Sequence, residues 1–144
     1  MEGTAMTDYE HLKVAEFDHW SLYVHGSQYY LGRVYLWAKR TDVVDLMDAL
    51  PEEREEFFSV GTRVRDALQE LFQPDLFNYA ALANVSAHMH VHVIPRYKTL
   101  RTFEGITFTD HNWGKNYAPY DTKFKIPEEK LILLAARIRD TLQA

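Results

Sequence analysis

Three histidines stand at every second position from His88 to His92, separated by Met89 and Val91. Because successive side chains of a β-strand point to opposite faces, a strand here would place the three imidazoles in one row above the apolar residues. An imidazole titrates close to neutral pH, so such a row offers neutral nucleophiles or bases together with cationic groups that bind phosphate. The spacing therefore predicts a functional site with His88, His90 and His92 at its centre.

The same spacing bears on metal binding. A rise of about 3.3 Å per residue places neighbouring histidines of the row roughly 6.6 Å apart at Cα, and the outer pair roughly 13 Å apart. Zinc needs its nitrogen ligands at about 2.0–2.1 Å, so His88 and His92 cannot easily converge on one ion. We therefore expect an extended phosphate substrate and no metal. Two histidines with a distant third ligand would still allow zinc, and a polar strand face without chemistry is the other alternative.

Composition limits both the fold and the function. With 144 residues and 47% hydrophobic content, the chain is expected to form one domain over residues 1–144, with an apolar core. The net charge is −5 and the basic residues are scattered, which argues against a nucleic-acid partner. Cysteine is absent, which excludes disulfides and thiol catalysis. No apolar run could span a membrane and residues 1–17 contain no signal-peptide pattern, so we expect a cytoplasmic protein without a membrane partner.

Alternating apolar residues predict two strands early in the chain. Trp20, Leu22 and Val24 alternate with residues of the opposite face, and a second strand is expected over residues 33–38, after a turn. These two strands should pair as a hairpin. Pro51 then begins a helix, because proline suits the first helical turn and four glutamates follow it near the positive helix N-terminus.

That helix should present one apolar stripe through residue 71 towards a sheet. Two further strands are expected over residues 76–85 and 87–94, joined by a tight connection near Ser86, and a second amphipathic helix over residues 127–142. Strands grouped before and after one long helix favour an α+β fold with an antiparallel sheet. Residues 98–124 show little regularity and are expected to form a long functional loop or flap.

The histidine run and its surroundings resemble the histidine-triad (HIT) superfamily. The run from His88 to Tyr97 carries the signature, and residues 30–34 and 78–84 are similar to a microbial branch related to the diadenosine polyphosphate hydrolases. The resemblance extends from about residue 19 to residue 97. It implies a HIT-like fold, in which an antiparallel sheet of about five strands packs with a long central helix and a C-terminal helix. It also implies a homodimer that binds a purine nucleotide.

By this resemblance, His90 is the nucleophile that attacks the α-phosphorus and forms a covalent nucleotidyl-histidine, which water then hydrolyses. A hydrogen bond from its Nδ1 to a backbone carbonyl would leave the Nε2 lone pair aimed at phosphorus. His88 and His92 are expected to flank the phosphate, bind its oxygens and assist the leaving group. No cofactor is expected to be required, and magnesium would act only through the phosphates of the substrate.

Three further residues are expected to bind substrate. His25 corresponds to a hairpin position where relatives place a polar residue or a histidine near the phosphate or ribose, and Asn84 to one where a Gln or Asn reaches the phosphate oxygens. Ser86 lies one place after the position of a phosphate-contacting serine, which is Val85 here, and Ala83 replaces a common glycine. The alternative for His25 is a surface position at a strand end, and for Asn84 an ordinary turn residue.

The residues and the resemblance together predict an enzyme. It would be a nucleotide hydrolase or nucleotidyl transferase that cleaves at the α-phosphate of an adenine dinucleotide polyphosphate, a nucleoside phosphoramidate or a similar conjugate. Two alternatives stay open, a nucleotide-binding module without turnover and a zinc-dependent protein that uses the histidine row.

Overall fold

A five-stranded antiparallel sheet forms the centre of the fold in the computed structural model, which describes residues 9–144. Its strands are β1 (Lys13–Glu16), β2 (Trp20–Val24), β3 (Val34–Ala38), β4 (Leu76–Ala80) and β5 (His90–Arg96), in the order β1-β2-β3-β5-β4. A separate hairpin consists of β6 (Arg101–Phe103) and β7 (Ile106–Phe108). The helices are a short 3₁₀ helix (Leu46–Asp48), α1 (Pro51–Phe72) and α2 (Glu128–Gln143).

The α+β fold expected from the sequence is confirmed. β2 and β3 pair as the expected hairpin, with Leu22 opposite Leu36. The long helix begins at Pro51, and the C-terminal helix begins directly after Pro127. Within residues 9–144, no helix combines the length and the apolar character needed to cross a membrane.

The connection between β4 and β5 differs from the expected tight turn. β4 ends at Ala80 and β5 begins at His90, so residues 81–89 form a loop. Ala83 has a φ of 54°, in the left-handed region, and a residue in that conformation cannot continue an extended strand. The apolar residues of the loop suggested a strand, yet Val85 is 98% exposed. The apolar side chains that suggested a strand here are exposed to solvent.

Residues 98–124 are more ordered than their sequence suggested. They contain the β6–β7 hairpin, and the segment after it is fastened to the sheet by a buried ion pair. Arg96 Nε on β5 donates to the Asp110 carboxylate at 2.7 Å, and the same guanidinium donates to the carbonyls of Asn112 and Lys115. These bonds hold residues 110–115 against β5.

The two faces of the sheet differ in character. Apolar side chains of β2, β3 and β5 point to the face that α1 and α2 cover, where they form the core with Val64, Leu68 and Leu134. At Gly32, which precedes β3, φ is 88°, a conformation that favours glycine, and a Cβ atom would lie 3.2 Å from the Leu68 side chain, which is a tight contact. The alternate side chains of the same strands, among them His90 and His92, occupy the face away from the helices.

Candidate active site

The register between β3 and β5 builds a cluster of rings on the open face of the sheet. Tyr35 lies opposite His92 and Trp37 opposite His90. The ring centroids of His90 and His92 are 5.0 Å apart, and His25, at the end of β2, lies 5.4 Å from His92. Three imidazoles are therefore in contact, although His25 is distant in sequence from His90 and His92.

His88 occupies a different position from the one expected. It lies before β5, where the Met89 N–H bonds to the Val43 carbonyl, so the expected strand position of His88 is wrong. Its ring stacks on Trp37 with centroids 4.1 Å apart, and its Nε2 donates to the Ala38 carbonyl at 2.6 Å. The His88 imidazole is thus engaged in packing beside the other histidines, and only two histidines form the strand row.

His90 has the hydrogen bond that a nucleophilic imidazole needs. Its Nδ1 lies 2.6 Å from the His88 carbonyl oxygen, which can only accept, so Nδ1 carries the proton. The neutral ring then has its lone pair on Nε2. His90 is only 9% exposed, but it lines a cavity, so this lone pair belongs to a ring that a ligand can reach.

The cavity has a volume of about 630 Å³, which is within the range of small-molecule sites. Five of the six predicted site residues line it, namely His25, Asn84, Ser86, His90 and His92. Asn84 and Ser86 lie in the exposed loop between β4 and β5. The structure thus brings these residues together, while their roles in binding or catalysis stay predictions.

Two of the histidines are held neutral. Burial, and then the nearby Arg33 guanidinium, lower the pKa of His92 to about 3 and that of His25 to about 4. Neither ring therefore provides the phosphate-binding charge that was expected from the histidine row. Positive charge near these rings comes instead from Arg33 and from Lys125, which lines the cavity.

Several lining residues were not predicted from the sequence. Tyr23, Tyr35 and Trp37 form an aromatic wall, in which the rings of Tyr23 and Tyr35 stack with centroids 5.3 Å apart. Strand alternation could have identified Tyr35 and Trp37, because they point away from the buried residues Val34 and Leu36.

Other lining residues had no such signal. Tyr9 precedes the first strand, and Lys125 lies between irregular residues and α2, so no periodicity places either side chain at the cavity. As for metal binding, within residues 9–144 no group of three or more His, Asp or Glu side chains is arranged to hold an ion.

Solved structures with a similar fold are histidine-triad proteins. One from Sinorhizobium meliloti is 20% identical, with a TM-score of 0.75, and the match covers 90% of this chain and 88% of that one. A hypothetical histidine triad nucleotide-binding protein from Sulfolobus tokodaii is 16% identical, with a TM-score of 0.71 and coverages of 98% and 89%. A zinc-bound histidine triad family protein from Mycobacterium smegmatis is 19% identical, with a TM-score of 0.63 and coverages of 98% and 90%. These likenesses show the fold.

The sequence itself gives the family assignment. The HIT domain family model matches residues 7–99, which is more than half of the chain and includes all three histidines of the signature. No curated protein sequence matches the chain. The chain therefore belongs to the histidine-triad family.

Proposed function

We propose that this HIT protein is a nucleotide hydrolase or nucleotidyl transferase that cleaves at the α-phosphate of an adenine dinucleotide polyphosphate, a nucleoside phosphoramidate or a similar conjugate. Membership of the HIT family suggests nucleotide binding or hydrolase or transferase activity. The observation that carries the finer proposal is the hydrogen bond from His90 Nδ1 to the His88 carbonyl, in a ring that borders the cavity. The proposal also includes a relationship to the diadenosine polyphosphate hydrolases, which is based on the residues around the signature.

The chemistry proceeds in two displacements. First, the Nε2 lone pair of His90 attacks the α-phosphorus, an N–P bond forms, and the bond to the leaving group breaks with its electron pair on the leaving atom. The ring becomes cationic, and the His88 carbonyl stabilises this charge through Nδ1–H. Water then attacks phosphorus, the N–P bond breaks with its electrons returning to Nε2, and the water releases a proton to solvent. A transferase would use another acceptor in place of water.

Substrate recognition follows from what lines the cavity. The stacked rings of Tyr23 and Tyr35 offer a flat apolar surface for a purine base. Asn84, Ser86 and His25 provide polar groups at the same cavity, as expected for residues that contact phosphate or ribose. The volume of the cavity supports a small-molecule purine nucleotide as ligand.

A homodimer is also proposed. β4 is an edge strand, and Leu76 and Tyr79 on it are each 52% exposed. On α1, Phe58 is 69% exposed. Large apolar side chains in such positions favour contact with a second copy of the chain, which would cover the edge of the sheet.

Two alternatives have distinct signatures. A nucleotide-binding module would keep the same geometry without turnover. A zinc-dependent protein is the second alternative, and the zinc-bound histidine triad protein from Mycobacterium smegmatis supports it. Adenosine monophosphate p-nitrophenyl ester separates the three functions, because its leaving group departs as a phenolate anion and contains no polyphosphate that needs magnesium.

We expect a burst of p-nitrophenol equal to one per chain, and an acid-labile adenylyl adduct on His90, both unchanged after exhaustive treatment with EDTA. His111→Ala is the matched control, because His111 is an exposed histidine outside the cavity. It should retain both signals, whereas His90→Ala should lose both. Ester binding without release of p-nitrophenol would instead establish a binding module. Activity that disappears with EDTA and returns with zinc alone would establish the zinc-dependent function.

A further inference from the structure

A buried cation lies next to the histidine cluster. Arg33 is only 4% exposed, and its Nη1 donates to the Tyr120 hydroxyl at 3.0 Å. Its guanidinium carbon lies 5.5 Å from the ring centroids of both Tyr117 and Tyr120. Within residues 9–144, Arg33 has no carboxylate at ion-pair distance and its Nε has no hydrogen-bond partner. Aromatic rings compensate a buried cation only in part, so its retention suggests a role.

Arg33 lies beside His92 and, together with burial, favours its neutral form. Its Nη2 lies 3.4 Å from His92 Nδ1. A guanidinium nitrogen can only donate, so Nδ1 must accept and the proton of the neutral imidazole is on Nε2. An imidazolium at this position would direct a second N–H at the guanidinium, which adds a steric and electrostatic conflict to the cost of burial.

The other groups that face His92 do not relieve this conflict. They are His90 on β5, Tyr35 on β3 and His25 at the end of β2, with ring centroids 5.0 to 5.7 Å away. Lys125, from the segment before α2, adds a positive charge near His25. Among the described residues that line the cavity, none has a carboxylate. Consistent with this arrangement, the pKa of His92 is lowered to about 3.

We propose that Arg33 is a positioning residue that holds His92 as a neutral Nε2–H donor, so that the site favours leaving groups that depart as oxyanions over those that depart as amines. The inference rests on the proposed function and on the expected role of His92, which is to flank the phosphate and assist the leaving group. It narrows the substrate class to nucleotides joined to phosphate or to another acidic oxygen, as in a dinucleoside polyphosphate.

The preference for oxyanions follows from whether the leaving group needs a proton. When a P–O bond breaks, the oxygen keeps the electron pair, and a stable phosphate or phenolate anion needs only the hydrogen bond from His92 Nε2–H. When a P–N bond breaks, the nitrogen must also receive a proton to leave as an amine. A neutral His92 that gave up its only proton would become an imidazolate, so it is a poor general acid for an amine. The proton would have to come from solvent.

Two adenylyl substrates of nearly equal size test the preference. The p-nitrophenyl ester of adenosine monophosphate releases an oxyanion, whereas the corresponding p-nitroanilide must release an amine, and both products can be followed by their absorbance. The intrinsic difference in reactivity between them cancels when the ratio of anilide to ester kcat/KM is compared between proteins. We expect Arg33→Met to raise this ratio by about tenfold or more at slightly acidic pH, because a rise of one unit in the His92 pKa makes the protonated form, which can act as general acid, about ten times more abundant.

The protonation of His92 can be measured without any turnover. Nitrogen-15 NMR of the imidazole should find the Nε2–H tautomer in the wild type, with no protonation down to about pH 5. In Arg33→Met the pKa of His92 should rise by about one unit or more, whereas Arg33→Lys, which retains the charge, should keep it low. Arg63→Met is the matched control, because Arg63 also lies over a ring, that of Phe17, but is exposed on α1.

The outcomes separate the two proposals. If the wild type forms no adduct on His90 but His92 responds to Arg33→Met as expected, the proposed function fails and the role of Arg33 in holding His92 neutral stands. If His92 titrates near its ordinary pKa in the wild type, or equally in Arg33→Met, the inference is overturned. If Arg33→Met does not fold, two other measurements still test the role of Arg33. The first is the titration of His92 in the wild type. The second is the ratio of anilide to ester kcat/KM in Arg33→Lys, which should stay within about threefold of the wild-type ratio.

Discussion

The Nδ1–H of His90 donates to the backbone carbonyl of His88 at 2.6 Å. This bond joins two histidines of the signature through the side chain of one and the main chain of the other. The tautomer of His90, the proposed nucleophile, therefore depends on where the backbone of His88 lies and not on the His88 imidazole. The histidines of the signature should consequently respond very differently to substitution.

Replacing His90 should abolish turnover without unfolding the protein. His90→Ala removes the attacking nitrogen, and we expect kcat to fall by about 10⁴ or more. The side chain borders an open cavity, so urea denaturation should give a stability within about 1–2 kcal/mol of wild type. A correctly folded His90→Ala protein with wild-type kcat would contradict the assignment of the nucleophile.

His92 and His88 should differ in their effect on catalysis. His92→Ala removes a hydrogen-bond donor in the cavity, and we expect kcat to fall by about 10²–10³ while the adduct still forms slowly. His88→Ala keeps the carbonyl and should cost less than about tenfold in kcat. It should instead lower stability by about 1 kcal/mol, because the contact with Trp37 is lost. Rapid-quench measurements of adduct formation, compared with denaturation curves, will detect a reversal of this order.

Strand alternation was sufficient to predict which strand residues face the site. It was insufficient to predict the site residues that come from loops and from distant parts of the chain. The period of two places His90 and His92 on the face opposite the core, and the hairpin beside them follows from the same pattern. Arg33 and Tyr120 could not be predicted as partners, because their contact joins residues 87 positions apart and has no local signal. His88 was misplaced since tertiary hydrogen bonds, here to Ala38, override alternation at a strand end.

A glycine at position 83 should stabilise the loop between β4 and β5. Ala83 has a φ of 54°, a conformation that costs a residue with a Cβ atom about 1–2 kcal/mol. After the greater entropy loss of glycine on folding, we expect Ala83→Gly to gain about 0.5–1 kcal/mol in urea denaturation. Ala81→Gly, in the same loop but without a positive φ, should be neutral or destabilising. Destabilisation by Ala83→Gly would mean that the left-handed conformation is not under strain.

Stability should decrease on mild acidification because of His25 and His92. Their pKa values in the folded protein are about 4 and about 3, below the ordinary 6.5, so the unfolded chain binds protons first as the pH falls. The free energy of unfolding should thus decline below about pH 6.5 and continue to decline towards the folded pKa values.

Urea denaturation between about pH 6.5 and pH 4 will measure the slope of the free energy of unfolding against pH. His92→Gln should reduce this slope by the equivalent of about one proton taken up on unfolding. Asn84→Ala changes a cavity residue that does not titrate, so it should leave the slope unchanged. An unaltered slope in His92→Gln would show that His92 does not take up a proton on unfolding.

The protein should be a homodimer in solution. Light scattering at micromolar concentration should give twice the 16.9 kDa of one chain. Phe58→Glu places a charge on the exposed face of α1 and should shift the mass towards the monomer. Ile132→Glu, at an exposed apolar position of α2, is the matched control and should leave the dimer intact. A wild-type mass of one chain would rule the dimer out.

The fastening of residues 110–120 to the sheet has a consequence for how the protein is made. Tyr30 and Arg33 bond to Tyr117 and Tyr120, which are synthesised 87 residues later. A nascent chain that has emerged from the ribosome only through β5 already contains all three histidines of the signature. It still lacks both tyrosines that enclose the guanidinium beside His92. The guanidinium beside His92 is therefore enclosed only after Tyr120 has been synthesised, which is later than the synthesis of the histidines themselves.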